Sequence, residues 1–181
     1  RINIEMDGKK LALNDIAGNF DLANQPSIHF DLRAKENEGN MKVSGLWGGK
    51  NKAVSIEADN FELTNYLAYL PEELAIKVNG GKLTSFKPTV TSDEDGHLDI
   101  DGEALLLDVG LNVEGTDIDD IDGFILFNES ELRIFSRGKI SNQPIVLKGT
   151  TDLNMVEPML NLEISAKAFD IAQAMANFPV K

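Results

Sequence analysis

The chain contains no cysteine, which excludes disulfides, thiolate metal centres and thiol nucleophiles. It has only two histidines and one tryptophan. No apolar run is long enough to cross a bilayer as a helix. Gly-x-Ser-x-Gly, His-Glu-x-x-His, the phosphate-binding loop and Gly-x-Gly-x-x-Gly are all missing. Basic side chains are few: 17 stand against 30 acidic ones, for a net charge of −13. Such a surface repels phosphate backbones and anionic headgroups, so nucleic acid is excluded as a partner. Carboxylates are plentiful, but nothing singles out a glycosidase-like pair. These absences point away from an enzyme and from any cofactor or metal. Lack of cysteine also fits an oxidising compartment such as the periplasm.

What remains is ordinary in bulk, with 42% apolar and 26% charged residues among 181, enough for a sizeable core. The chain starts at Arg1 inside an alternating stretch, Ile2, Ile4, Met6. We therefore expect residues 1–181 to be one segment of a longer protein. Period-two alternation dominates. Ile28, Phe30, Leu32 and Ala34 share one face with polar residues between them, the signature of a strand wet on one side. The pattern recurs at Val54/Ile56/Ala58, Leu74/Ile76/Val78, Leu98/Ile100 and Leu160/Leu162/Ile164, and is longest at Leu105/Leu107/Val109/Leu111/Val113. Turn signals fall at Asp7-Gly8, Asn79-Gly80-Gly81, Asp95-Gly96, Asn128-Glu129-Ser130 and Ser141-Asn142. The spacing predicts about a dozen hairpin-linked strands filling near half of the chain.

Two segments depart from alternation. Leu63, Tyr66, Leu67 and Leu70 follow helical spacing, as do Ile171, Ala174, Met175 and Phe178; each run stops at a proline, Pro71 or Pro179. These two short predicted helices expose an internal repeat. Residues 54–71 align without gaps to 162–179, with Val54 on Leu162, Ile56 on Ile164 and Phe61 on Phe169. Residues 26–35 likewise match 158–167, with Phe30 on Leu162.

An antiparallel sheet of that many strands does not stay flat, because each strand is rotated by about 20–25° from its neighbour. With one apolar face it curls that face inward. Either the walls meet as a closed core or they leave an apolar trough. His29 and His97 read as solvated strand residues. Asp117-Ile-Asp-Asp-Ile-Asp-Gly123 fails the EF-hand order, and Ser92-Asp-Glu-Asp-Gly96 reads as an acidic turn. Trp47, before Gly48-Gly49, reads as a plug at the end of a core.

The order of these pieces resembles the TamB branch of the AsmA-like envelope proteins. The residues that carry it are Asp15-Ile-Ala-Gly-Asn-Phe-Asp-Leu22 leading into Pro26-Ser-Ile-His-Phe-Asp-Leu32, then Ile121-Asp-Gly-Phe-Ile-Leu-Phe127. Glu131-Leu-Arg-Ile134 and Gly138-Lys-Ile-Ser-Asn-Gln-Pro-Ile-Val-Leu-Lys-Gly149 follow. The resemblance implies a long β-trough in the periplasm, in a parent chain anchored in the inner membrane of a double-membraned bacterium and reaching toward the outer one. It implies phospholipid acyl chains as ligand, neighbouring segments of the parent chain and an outer-membrane barrel as partners, and no catalytic residues. The candidate lining is Ile28, Phe30, Leu32, Val54, Ile56, Leu105, Leu107, Val109, Leu111, Leu160, Leu162 and Ile164, with gaps at Gly45 and Gly149. The alternative is a structural or adhesive solenoid or sandwich, or an assembly scaffold, whose apolar face is closed core.

Overall fold

A computed structural model describes residues 2–6, 9–23, 26–36, 38–49, 52–64, 76–113, 115–129, 131–152 and 161–167, with side chains from Asn14 onward. Strands take up 83% of these residues, above the half expected. They are β1 (Ile2–Met6), β2 (Lys9–Asp21), β3 (Ile28–Glu36), β4 (Gly39–Trp47), β5 (Lys52–Asp59), β6 (Phe61–Glu62) and β7 (Ile76–Phe86). Then come β8 (Thr89–Ser92), β9 (Leu98–Val113), β10 (Thr116–Asn128), β11 (Glu131–Ile140), β12 (Gln143–Asp152) and β13 (Asn161–Ser165). The sheet is antiparallel, in the order β1-β2-β3-β4-β5-β7-β9-β10-β11-β12-β13, with β6 on β7 and β8 pairing both β5 and β9. The mostly-β fold is thus as the alternation predicts.

The two short helices are not borne out. Leu63 and Thr64 form a single 3₁₀ step, and residues 65–75 and 168–181 lie outside the described residues. Among the described residues no helix is long and apolar enough to cross a membrane. The chain divides into two compact units. Unit 1 is Arg1–Phe61, Thr84–Ala104 and Leu126–Ser130; unit 2 is Glu62–Leu83, Leu105–Ile125 and Glu131–Lys181.

Two local features correct the sequence reading. The turn expected at Asn79-Gly80-Gly81 is absent, because β7 runs straight through it. Gly81 serves a close approach instead. Its φ is +107°, and a Cβ there would lie 2.5 Å from the Cα of Val109. The second feature is a set of positive-φ residues inside strands. Asp15, Asp108 and Asp120 have φ of 49°, 53° and 49° inside strands, a conformation that Asp tolerates better than most residues. The β2–β3 register shifts between Asn14 and Ala17, around the first of them. An inserted residue moves the following side chains to the other face. In β9 the consequence is plain: Leu105 and Leu107 are 39% and 47% exposed, whereas Ala104 is buried and Val109 is 3% exposed. The five-residue stripe from Leu105 to Val113 is therefore not one face.

The core of unit 2 consists of Val109, Ile118, Ile121, Ile140, Ile145 and Leu147, with Leu63, Val78, Leu106, Leu111 and Val113 packed against it. Gly123 lets β11 come close, since a Cβ there would run into the Phe135 carbonyl oxygen and Ser136. Ser136 is itself buried, and its Oγ has no hydrogen-bond partner. A buried unpaired hydroxyl is unfavourable by about 1–3 kcal/mol. Ser136→Ala is accordingly expected to stabilise unit 2 by about 1 kcal/mol, read as a higher urea midpoint with an unchanged slope.

Candidate functional site

The feature that stands out in unit 1 is one apolar sheet face. Register pairs Phe20 with Phe30, Phe30 with Gly45, Gly45 with Val54, Val54 with Val90, and Val90 with Ile100. Directly paired residues of an antiparallel sheet share a face. These pairs therefore form one row across β2, β3, β4, β5, β8 and β9. A parallel row holds Gly18, Leu32, Val43 and Ile56, and another Ala34, Met41, Ala58 and Phe86. At Gly45 a Cβ would collide with the Ala53 carbonyl oxygen, so the lining is thin there.

This face is not packed like the core of unit 2. Phe30, Leu32, Val43, Val54, Ile56, Val90 and Ile100 are all half-buried, and Phe20 is exposed. Only Ala58 in these three rows is buried. The opposite face carries polar groups. Asp31 lies 3.6 Å from both Arg33 and Lys42, and Ser55 shares a 3.0 Å hydrogen bond with Thr89. Surface ion pairs of this kind add about 0–1 kcal/mol, so they mark the wet side rather than hold the sheet.

The candidate lining residues fall into five groups. Ile28, Phe30, Leu32, Val54 and Ile56 lie together on the half-buried face of unit 1. Val109 and Leu111 belong to the packed core of unit 2. Leu105 and Leu107 lie exposed off that core, a correction that the change of phase at the positive-φ Asp108 explains. Leu160 lies outside the described residues. Leu162 and Ile164 pair with Gly149 and Leu147 on the inner face but are exposed, at the end of the strand order. The lining expected from the sequence leaves out Val43, Val90 and Ile100, although Ile100 belongs to the alternation at Leu98/Ile100. The signal was alternation in short strands, visible only once β8 is recognised as a strand between β5 and β9.

The remaining candidates for chemistry resolve into local structure. His29 is exposed on β3. His97 lies just before β9 rather than on a strand. There the Asp93 Oδ1 accepts from the N–H groups of Asp95 (2.9 Å) and His97 (3.0 Å), and its Oδ2 lies 3.2 Å from His97 Nδ1. Asp93, Asp95 and His97 come close enough to share a cation, but the Asp93 carboxylate is already engaged in closing the turn. Three of the four acids of 117–122 have their own partner: Asp117 accepts from Asn112, Asp120 from Lys139, and Asp122 from the Asp108 N–H. Trp47 does not plug a core. It is exposed, with Lys52 Nζ 5.5 Å from its ring centroid.

Desolvation raises the Asp93 pKa, yet the hydrogen bonds from His97 and Asp95 outweigh it and hold the carboxyl below its ordinary 3.8. A depressed folded pKa contributes stability that is complete above the unfolded value and is lost as pH falls through the folded one. The turn is thus expected to loosen only below about pH 4. Amide exchange at Asp95 and His97, corrected for intrinsic rates, checks this; constant protection down to the acid limit would contradict it.

No protein-family model matches the chain, and neither does any curated protein or solved structure.

Proposed function

We propose that the chain is a periplasmic segment of a protein bridging the inner and outer membranes, and that its apolar sheet face shields phospholipid acyl chains in transit. The observation that carries this is the row from Phe20 to Ile100, apolar across six strands and nowhere sealed. A contiguous apolar sheet face that stays half-exposed calls for an occupant. An acyl chain leaving water gains about 0.8 kcal/mol per methylene, so a carrier surface must be apolar along its length. The motif order, which resembles that of TamB-like proteins, supports the same reading. On it the chain has no catalytic residues, and a barrel in the outer membrane and adjoining segments of the parent chain are its partners.

A second reading has its own observation. The packed cluster around Ile121 shows that part of the apolar surface is closed core, as a purely structural segment would have. The two readings part on Phe30→Asp. A charge on an apolar path costs about 2.5–3.5 kcal/mol on insertion scales, enough to weaken acyl-chain residence more than about 50-fold. The conduit reading expects a melting temperature within a few degrees of wild type, and loss of phospholipid from organic extracts of the purified protein. Unfolding of the variant, with no lipid in wild-type extracts, would establish the structural reading instead.

A further inference from the structure

The other face of unit 2 breaks the pattern of its own sheet. A sheet with one packed face should be polar on the other. Here Phe124 stacks on Phe135 at 5.3 Å between ring centroids, and both Phe124 and Val146 are exposed. The β11–β12 register pairs Phe135 with Lys148 and Arg137 with Val146. Two apolar and two cationic side chains thus occupy the corners of one square, with the cations on its diagonal. Like charges so placed repel each other.

The neighbouring cations are neutralised. Arg133 lies 2.6 Å from Glu131, and Lys139 lies 2.6 Å from Asp120. Among the described residues Arg137, Lys148 and Lys167 have no such partner. Glu163 faces Lys148 in register without closing to an ion pair. Asp122, the nearby acid on β10, accepts from the Asp108 N–H. Arg137 and Val146 are shared by two adjoining grooves. One, of about 280 Å³, contains the Phe124–Phe135 pair and Lys148; the other, of about 490 Å³, contains Pro144 and Lys167. These volumes suit a single small ligand. In a chain of net charge −13, this face is a local exception: three cations without an ion-pair partner among the described residues stand around an apolar centre, against the acids Asp122 and Glu163.

We propose that this face is a separate ligand site for a single-tailed anionic amphiphile, an alkyl chain bearing a phosphate or carboxylate. The tail lies against Val146 and the stacked phenylalanines. The head is held by the Arg137 guanidinium, which grips such groups bidentately, with Lys148 and Lys167 on either side. A dispersed monomer is the occupant rather than a bilayer surface. Local cations act within a Debye length of about 8 Å, whereas an extended anionic surface also meets the acidic remainder of the chain. The site belongs to unit 2 and does not depend on the acyl-chain face of unit 1.

The test titrates the intact chain with dodecyl phosphate below its micelle concentration, followed by backbone amide shifts. Saturable shifts are expected in β11, β12 and β13. Arg137→Gln with Lys148→Gln should weaken binding at least about tenfold, and added salt should weaken it too. Val146→Asn, which keeps every charge, should also weaken it. All three side chains are exposed, and unchanged melting confirms that the variants fold. Affinity unaffected by the charge substitutions would overturn the proposal, as would equally tight binding of inorganic phosphate alone. So would shifts centred on Phe30 and Val54, or binding seen only with vesicles containing phosphatidylglycerol.

Discussion

Ile121→Asp is expected to leave unit 2 unfolded at room temperature. Ile121 is 2% exposed and lies among the aliphatic side chains of Val109, Ile118, Ile140, Ile145 and Leu147. Removing a buried aliphatic side chain forfeits about 2–5 kcal/mol. The carboxylate that replaces it is either charged in an apolar site or neutralised by a raised pKa, and either state adds several kcal/mol. The total rivals the whole stability of a domain, about 5–15 kcal/mol. Lys139, next to Ile140 of the cluster, offers no rescue, since it is held by Asp120 at the exposed surface. Urea denaturation and amide exchange in β11 and β12 would read the loss. Ile121→Val, which keeps the apolar contact, should cost only about 0.5–1.5 kcal/mol. A protected β11–β12 pair in the Asp variant would mean that this cluster is not a core.

Gly81→Val is expected to destabilise by about 3–5 kcal/mol, while Ala at the adjacent Gly80 is expected to be nearly neutral. The two glycines are neighbours with opposite demands. Gly81 has φ of +107°, and a side chain there would meet the Val109 Cα at 2.5 Å and its Cγ2 at 2.7 Å. A β-branched residue forced into that region costs about 1–3 kcal/mol, and overpacking against backbone adds about 1–3 more. A Cβ at Gly80 would meet nothing within 4 Å. Paired urea midpoints measure the contrast. Equal effects at the two positions would contradict the close approach of β7 to β9.

The same glycines show where the sequence was hard to read. Asn-Gly-Gly carries every mark of a turn, and only the neighbouring strand reveals that Gly81 is there for close packing. Alternation located β3, β5 and much of β9 because single-face strands repeat every two residues. It failed before Asp108, whose positive φ marks a change of phase, and that misplaced Leu105 and Leu107. The core of unit 2 was hidden for a related reason. Ile118 and Ile121 are three residues apart among aspartates, which matches no strand face until the positive φ of Asp120 brings both to the same side. The apolar face of unit 1 was legible strand by strand at Phe30 and Val54. Its continuity was not, because Val90 and Ile100 join it through the pairings of the four-residue β8.

On the proposed function, the apolar face of unit 1 touches acyl chains rather than protein. The most direct measurement places a photoreactive phenylalanine analogue at Phe30 or Val54 in living cells and identifies what it captures. Positions Ile121 and Ile145, in the packed core, serve as the comparison. The account predicts phospholipid adducts at Phe30 and Val54 and none at Ile121 or Ile145. Capture of protein alone at Phe30 and Val54, or equal lipid capture at all four positions, would contradict it.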